Sequence, residues 1–246
     1  MKVVSLVQQK GGSGKSVLCR HLAVAGEQAG HKAVIIDSDA QGTLRDWAED
    51  RLKLHKLALP EVVVELSPNR KHLQAALDRI AGNGAEIAFI DTPGSLDSPF
   101  AANAMAAADI VLVPLRPTPE DLKAFWPVEE RVVETRKPFH TVLNQCPNTG
   151  KRLMRWIHER LARNRVPLCP IEIHTKTVIP WSFKQGLTSL EATDLTETDQ
   201  KTIDEFRELF TWTRREMNLQ PKQQQEVRDG RTAGDRRPAG AQQAGA

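Results

Sequence analysis

Lys10-Gly11-Gly12-Ser13-Gly14-Lys15-Ser16 follows a short valine-rich run at 3–7 and precedes Leu18, Leu22, Ala25 and Ala29 at helical spacing. An apolar run this short, bounded by polar residues, fits a strand buried on both faces. Closely spaced glycines let successive backbone N–H groups turn inward and form an anion nest. A helix beginning at Ser16 aims its positive end at the same place. Lys15 then supplies a point charge for the β- and γ-phosphates of a nucleotide, and the Ser16 hydroxyl suits Mg²⁺. A flexible glycine turn with incidental lysines would need neither the strand before it nor the helix after it. The common spacing GxxxxGK[ST] calls for glycine at position 9. This chain has Gln9 there, and a second lysine, Lys10, inside the loop.

Outward from the loop, strands and helices alternate. Apolar runs at 33–36, 62–66, 87–90 and 110–114, and Val142-Leu143, read as strands. Gly30 stands where the first helix should end. Ser67-Pro68 is expected to open a helix carrying Leu73, Leu77 and Ile80, with serine as cap and proline in its first turn. Thr118-Pro119-Glu120 opens another, with acids near its positive end. A last helix is expected over 196–217, where Thr196 and Asp199 resemble a capping box. The expected fold is α/β: a mostly parallel twisted sheet with helices on both faces, the P-loop NTPase architecture. Ligands of such sheets bind beyond the carboxyl ends of the strands. The segments 9–16, 37–41 and 91–94 all fall there.

With 246 residues, 40% hydrophobic and 26% charged, the chain has room for one sizeable core. No apolar run reaches the length of a membrane span, and the run after Lys2 is too short for a signal peptide. Cys19, Cys146 and Cys169 have no CxxC spacing and read as reduced thiols of a cytoplasmic protein, with Cys19 as core filler. The composition changes near Leu219. Residues 1–219 read as the ATPase domain, and residues 220–246 as a disordered basic tail too poor in large apolar residues to bury itself.

KGGSGKS resembles the deviant Walker A motif, KGGxGK[ST], of the ParA/MinD ATPases. VIIDSDAQGTLRDW resembles that family's DxDPQ segment, with Ala40 in place of proline. IAFIDTPG resembles its Walker B and switch region, and AADIVLVPLRPTPEDL its ADxVLxPxxPSPxDL stretch. Phe183-Lys184-Gln185-Gly186 and Leu190-Glu191-Ala192 resemble its C-terminal segment. The resemblance spans most of residues 1–195 and is strongest to the short ParA/ParF-like class. Only residues 1–9 precede the loop, so an N-terminal helix-turn-helix domain and operator-specific repression are not expected.

The resemblance implies ATP and Mg²⁺ as ligands and roles for particular residues. Lys10, Gly11, Gly12, Ser13, Gly14, Lys15, Ser16 and Val17 would hold the nucleotide. Lys10 would reach the partner's phosphates across an ATP-sandwich homodimer. Asp39 would orient the attacking water; with Lys10 and Lys15 it completes the catalytic set. Ser16, Asp37 and Asp91 would serve the metal; a turn cap is the other reading of Asp37. Thr92, Pro93 and Gly94 would sense the γ-phosphate. Asn144 would contact the base or simply occupy a turn.

An ATPase weak alone and stimulated by a ParB-like protein is implied, partitioning or positioning a plasmid, chromosome region or other cargo. It would bind DNA non-specifically and associate with the nucleoid. Candidate DNA contacts are Lys151, Arg152, Arg155, Arg160 and Arg163, with Arg165 and the tail arginines Arg228, Arg231, Arg236 and Arg237; a solvated helix face is the other reading. Trp156, within that cluster, is expected in the core. A MinD-like membrane switch would need an amphipathic C-terminal helix, which this polar tail does not supply. A conjugation-accessory ATPase is the remaining alternative.

Overall fold

The structure, a computed structural model, describes residues 1–95, 97–193 and 195–222. Its elements are β1 (Lys2–Leu6), α1 (Lys15–Gln28), β2 (Ala33–Asp37), α2 (Thr43–His55), β3 (Glu61–Val64), α3 (Arg70–Gly82), β4 (Ile87–Asp91) and α4 (Pro99–Ala107). They continue as β5 (Ile110–Leu115), α5 (Pro119–Glu134), β6 (Phe139–Cys146), α6 (Lys151–Arg163), β7 (Ile173–His174), α7 (Val178–Lys184) and α8 (Glu197–Glu216). The strands form one seven-stranded sheet in the order β3-β2-β4-β1-β5-β6-β7. Every pairing is parallel. β1 is central: the chain moves outward to β2 and β3, returns to β4, then crosses β1 to build the other half.

Helices cover both faces, which explains the near-continuous apolar strands. Along β4, Ile87 and Phe89 face a core shared with α1 and α8, while Ala88 and Ile90 face α3. The other half of that second face packs β5 and β6 against α4, α5 and α6. Pro114 survives inside β5 because its neighbour β1 pairs only as far as Leu112. Gln8 closes the gap by donating its side-chain amide to the Pro114 carbonyl at 3.1 Å.

Expected boundaries move at α3 and β3, and the strand read at Val142-Leu143 runs on through Asn144 to Cys146. α3 starts at Arg70, not at Ser67-Pro68, because Asn69 is the cap: its side-chain oxygen accepts from Lys71 N at 2.9 Å. Ser67 instead accepts from Asn69 N in the turn before it. β3 stops at Val64 rather than 66, since Asp37 is the last residue of β2 with which it can pair. The capping box of α8 is formed as expected, Thr196 and Asp199 each accepting from the other's N–H. Gly30, with φ +82°, follows α1 in the left-handed conformation expected of a helix stop. Cys19 is fully buried.

α8 lies on α1, where Phe206 stacks on the His21 ring at 3.9 Å between centroids. Beyond α8, Lys222 pairs with Glu86 at 2.6 Å. Most of the segment read as a disordered tail, residues 223–246 with its four arginines, lies outside the described residues. Replacing the fully buried Phe206 with alanine should cost about 3–5 kcal/mol of unfolding free energy, because it empties the α1–α8 seam. A urea denaturation midpoint matched to the parent protein would show that α8 is not part of the cooperative core.

Candidate nucleotide site

The register sets the site. Asp91, the last residue of β4, lies opposite Leu6 of β1 on one side and Asp37 of β2 on the other. The loop leaving β1 therefore starts beside Asp91, with Asp37 one strand further on, all on the carboxyl edge of the sheet. β6 holds the loop from the far side. Asn144 Nδ2 donates to the Ser13 carbonyl at 2.8 Å, and Gln145 Nε2 donates to Gly12 at 2.9 Å. Consecutive strand residues normally point to opposite faces. Here a register shift between Asn144 and Cys146, with Gln145 at φ +55°, brings both amides to the loop.

Gly14 has no substitute at this contact: its φ is +94°, and a Cβ there would stand 2.0 Å from Asn144 Nδ2. Gln9, the departure from the common spacing, ties the loop's entrance to α5 by donating to the Ala124 carbonyl at 2.8 Å.

Lys15 opens α1 and is 7% exposed. Its Nζ donates to the Gln8 carbonyl at 3.1 Å. Burial lowers its ammonium pKa, opposed by the charges of Asp91 and Asp39. Ser16 Oγ donates to Asp91 Oδ2 at 2.5 Å. Burial pushes the Asp91 carboxyl up to about 7, against the Ser16 hydrogen bond and the Lys15 charge. Among the described residues, Asp91 Oδ1 and Ser13 Oγ are buried without a hydrogen-bond partner. A buried carboxylate oxygen left open beside a serine hydroxyl and a phosphate loop fits a divalent cation.

Asp37 is engaged by backbone N–H groups. Its Oδ2 accepts from Leu44 N and Arg45 N at 3.2 and 3.1 Å, and its Oδ1 from Asp39 N at 3.1 Å. α2 has Gly42 at its cap position and no side-chain cap there, so Asp37 caps that helix from the strand. Burial raises its carboxyl pKa despite these three amides. The turn-capping reading is therefore the one the geometry realises. Asp39 is half-buried and accepts from Gln41 N at 3.0 Å, fixing its carboxylate within the turn. Its charge is felt by both Lys15 and Asp91. Thr92 is buried and donates to the Leu6 carbonyl at 2.7 Å, anchoring the segment after β4 to β1. Gly94 comes close to the loop: a Cβ there would lie 3.3 Å from the Gln9 carbonyl oxygen.

Lys10 leaves the nest. Its Nζ pairs with Asp121 of α5 at 2.8 Å. Burial pushes the Asp121 carboxyl up, but hydrogen bonds from Lys10, Thr118 and Arg116 outweigh this and hold it below the usual range. Asp121 was legible only as an acid near a helix start. Arg116 and Gln145 carried no local signal, since their contacts depend on β5 lying beside β1 and β6 beside β5. Asn144 is 1% exposed and committed to the loop, so it shapes the nest rather than presenting its amide to a base.

α6 covers the basic candidates. Ile157 and Leu161 take its buried face; Lys151, Arg152, Arg155, Arg160 and Arg163 are exposed. Trp156 is 41% exposed and not in the core, because its position falls on the arginine face one turn from Arg152 and Arg160.

Sheet order, phosphate loop and strand-end carboxylates together define a P-loop ATPase of the ParA/MinD class. More narrowly, the chain belongs to the MipZ family, described as ATPase MipZ, which matches residues 2–143. It is 25% identical over 191 residues to the maintenance of carboxysome distribution protein A of Halothiobacillus neapolitanus, covering 75% of this chain and 84% of that protein. The MinD cell division protein of Aquifex aeolicus shares the fold with a TM-score of 0.65 at 16% identity, over 86% of this chain and 98% of that one. The MinD septum site-determining protein of Pyrococcus horikoshii, complexed with Mg-ADP, gives 0.63 at 21% identity, over 86% and 95%.

Lys15→Ala removes the buried charge beneath the loop and should abolish ATP binding in a nucleotide titration. Unchanged affinity would mean that the loop is not the phosphate site.

Proposed function

We propose that the chain is a ParA-type positioning ATPase whose ATP-bound homodimer binds DNA non-specifically and moves or spaces a cargo. The observation that carries this reading is the division of labour between the two loop lysines. Lys15 is buried under its own loop, while Lys10 stands off it on Asp121, where it can turn to a second subunit. The similarity to a carboxysome distribution protein supports cargo positioning, whether the cargo is a plasmid, a chromosome region or another body.

In this reading, the amides of 10–17 and Lys15 bind the β- and γ-phosphates of ATP. Ser16 and Asp91 would hold Mg²⁺, which supplies charge neutralisation at the phosphate oxygens. Asp39 orients the attacking water, and Lys10 of one subunit offsets charge developing on the other's phosphates. Thr92, Pro93 and Gly94 link the γ-phosphate to β1 and the loop. A ParB-like protein accelerates hydrolysis, which separates the dimer and frees the DNA. The arginine face of α6 contacts the nucleic acid, and the nucleoid is the track.

Asp39→Ala should slow single-turnover hydrolysis by roughly 10²–10⁴ if the carboxylate acts as a positioned base. The ATP dimer and its DNA complex should then live longer. Hydrolysis near the parent rate would take Asp39 out of the mechanism.

DNA binding itself is tested by affinity for unrelated duplexes across a salt series with ATP. The log–log salt slope should be about −0.9 per phosphate neutralised. Replacing Arg152 and Arg155 together should reduce that slope by up to roughly two units and weaken all sequences alike. Deleting 221–246 should have a smaller effect. Normal binding by the double variant would move the contact off α6. No binding by the parent protein at low salt would turn the reading to a conjugation-accessory ATPase.

A further inference from the structure

Asp121 carries two cations on a single oxygen. Its Oδ1 is 2.8 Å from Lys10 Nζ and 3.0 Å from an Arg116 terminal nitrogen. Its Oδ2 accepts from the Thr118 hydroxyl at 2.6 Å. The carboxylate is buried, with 4% of its side chain exposed, whereas Lys10 and Arg116 remain 34% and 29% exposed. The acid is thus a fixed buried charge at the start of α5, and the two cations reach it from the solvent side. Arg116 also borders the loop: a Cβ on Gly12 would lie 3.9 Å from its other terminal nitrogen.

We propose that Arg116 is a positioning residue that keeps the Asp121 carboxylate paired while Lys10 leaves it for the second subunit. This rests on the reading that Lys10 acts on the partner's nucleotide. The physical argument concerns what Lys10 leaves behind. A buried carboxylate stripped of its only cation is strongly disfavoured. With Arg116 present, departure of Lys10 leaves one charge-assisted hydrogen bond and the Thr118 hydroxyl in place. Without Arg116, Lys10 is the sole counter-ion and is held where it cannot serve the dimer. Two cations sharing one oxygen also repel each other, and the lysine, a point charge on a flexible stem, is the one free to swing away. Arg116 suits the stationary part: its guanidinium is a planar, rigid fork of donors.

The test uses the full chain and measures the dimer dissociation constant by sedimentation with a non-hydrolysable ATP analogue. Nucleotide affinity of the monomer is measured in parallel. Arg116→Gln should weaken dimerisation by roughly 10- to 100-fold, the range of one charge-assisted hydrogen bond. Arg116→Lys, which keeps a cation, should stay near the parent and shows that the site tolerates substitution. Adding Asp121→Asn to Arg116→Gln removes the buried charge that holds Lys10 and should restore dimerisation to within about twofold of Asp121→Asn alone. An Arg116 that grips phosphate directly would lose nucleotide affinity and would not be rescued by Asp121→Asn; that result overturns the proposal. Lys10→Ala separates the two readings. If it dimerises normally, the cross-subunit role of Lys10 fails. If it does not, while Arg116→Gln dimerises normally, only the role of Arg116 fails.

Discussion

The side-by-side ending of β1, β4 and β2 is the constraint on which the site depends. Because the strands are parallel and in register, Leu6, Asp91 and Asp37 finish at one level. A slip of one residue would turn each of these side chains to the opposite face. The loop, the α2 cap and the carboxylate for the cation would then no longer meet. Burial on both faces makes such a slip costly, since Ile87 and Phe89 would exchange cores with Ala88 and Ile90. The helices that pack on the sheet therefore do more than stabilise it: they hold the reactive groups at a common height.

Within that frame, the site is organised around charges withdrawn from water. Lys15 and Asp91 are both buried, and burial disfavours the ionised form of each. Their mutual attraction offsets only part of that penalty. A phosphate and a divalent cation would complete both sides of the balance at once, so binding energy and local stability are coupled. Asp37 offsets part of the same penalty differently, by accepting three backbone N–H groups. Two neighbouring aspartates of similar sequence context thus serve different ends, one open to an ion and one closed on a helix.

Much of this was legible in the residues. Valine-rich runs, the glycine loop, Gly30 and the Thr196–Asp199 pair obey local rules, and local rules survive folding. The phosphate loop could be read with Lys15 and Ser16 in place because nest, charge and helix end are contiguous. What the sequence hid depends on strands far apart in the chain. Nothing near Asn144 shows that it will meet Gly14, 130 residues earlier, or that a bulge will bring Gln145 with it. The Lys10–Asp121–Arg116 cluster exists only because β5 lies against β1. Trp156 was misplaced for a simpler reason: hydrophobicity argues for the interior, but its helical phase puts it among the arginines.

The pair between Lys222 and Glu86 has a geometric consequence. Glu86 immediately precedes β4, and Gly30, which Lys222 also approaches, immediately precedes the turn into β2. The chain is therefore led to the amino-terminal pole of the sheet, while the phosphate loop occupies the carboxyl-terminal pole. A five-residue strand separates the two by about 17 Å. Anything fused after residue 222, a fluorescent reporter or a surface anchor, would be attached at the pole away from the nucleotide and would leave the loop's mouth open.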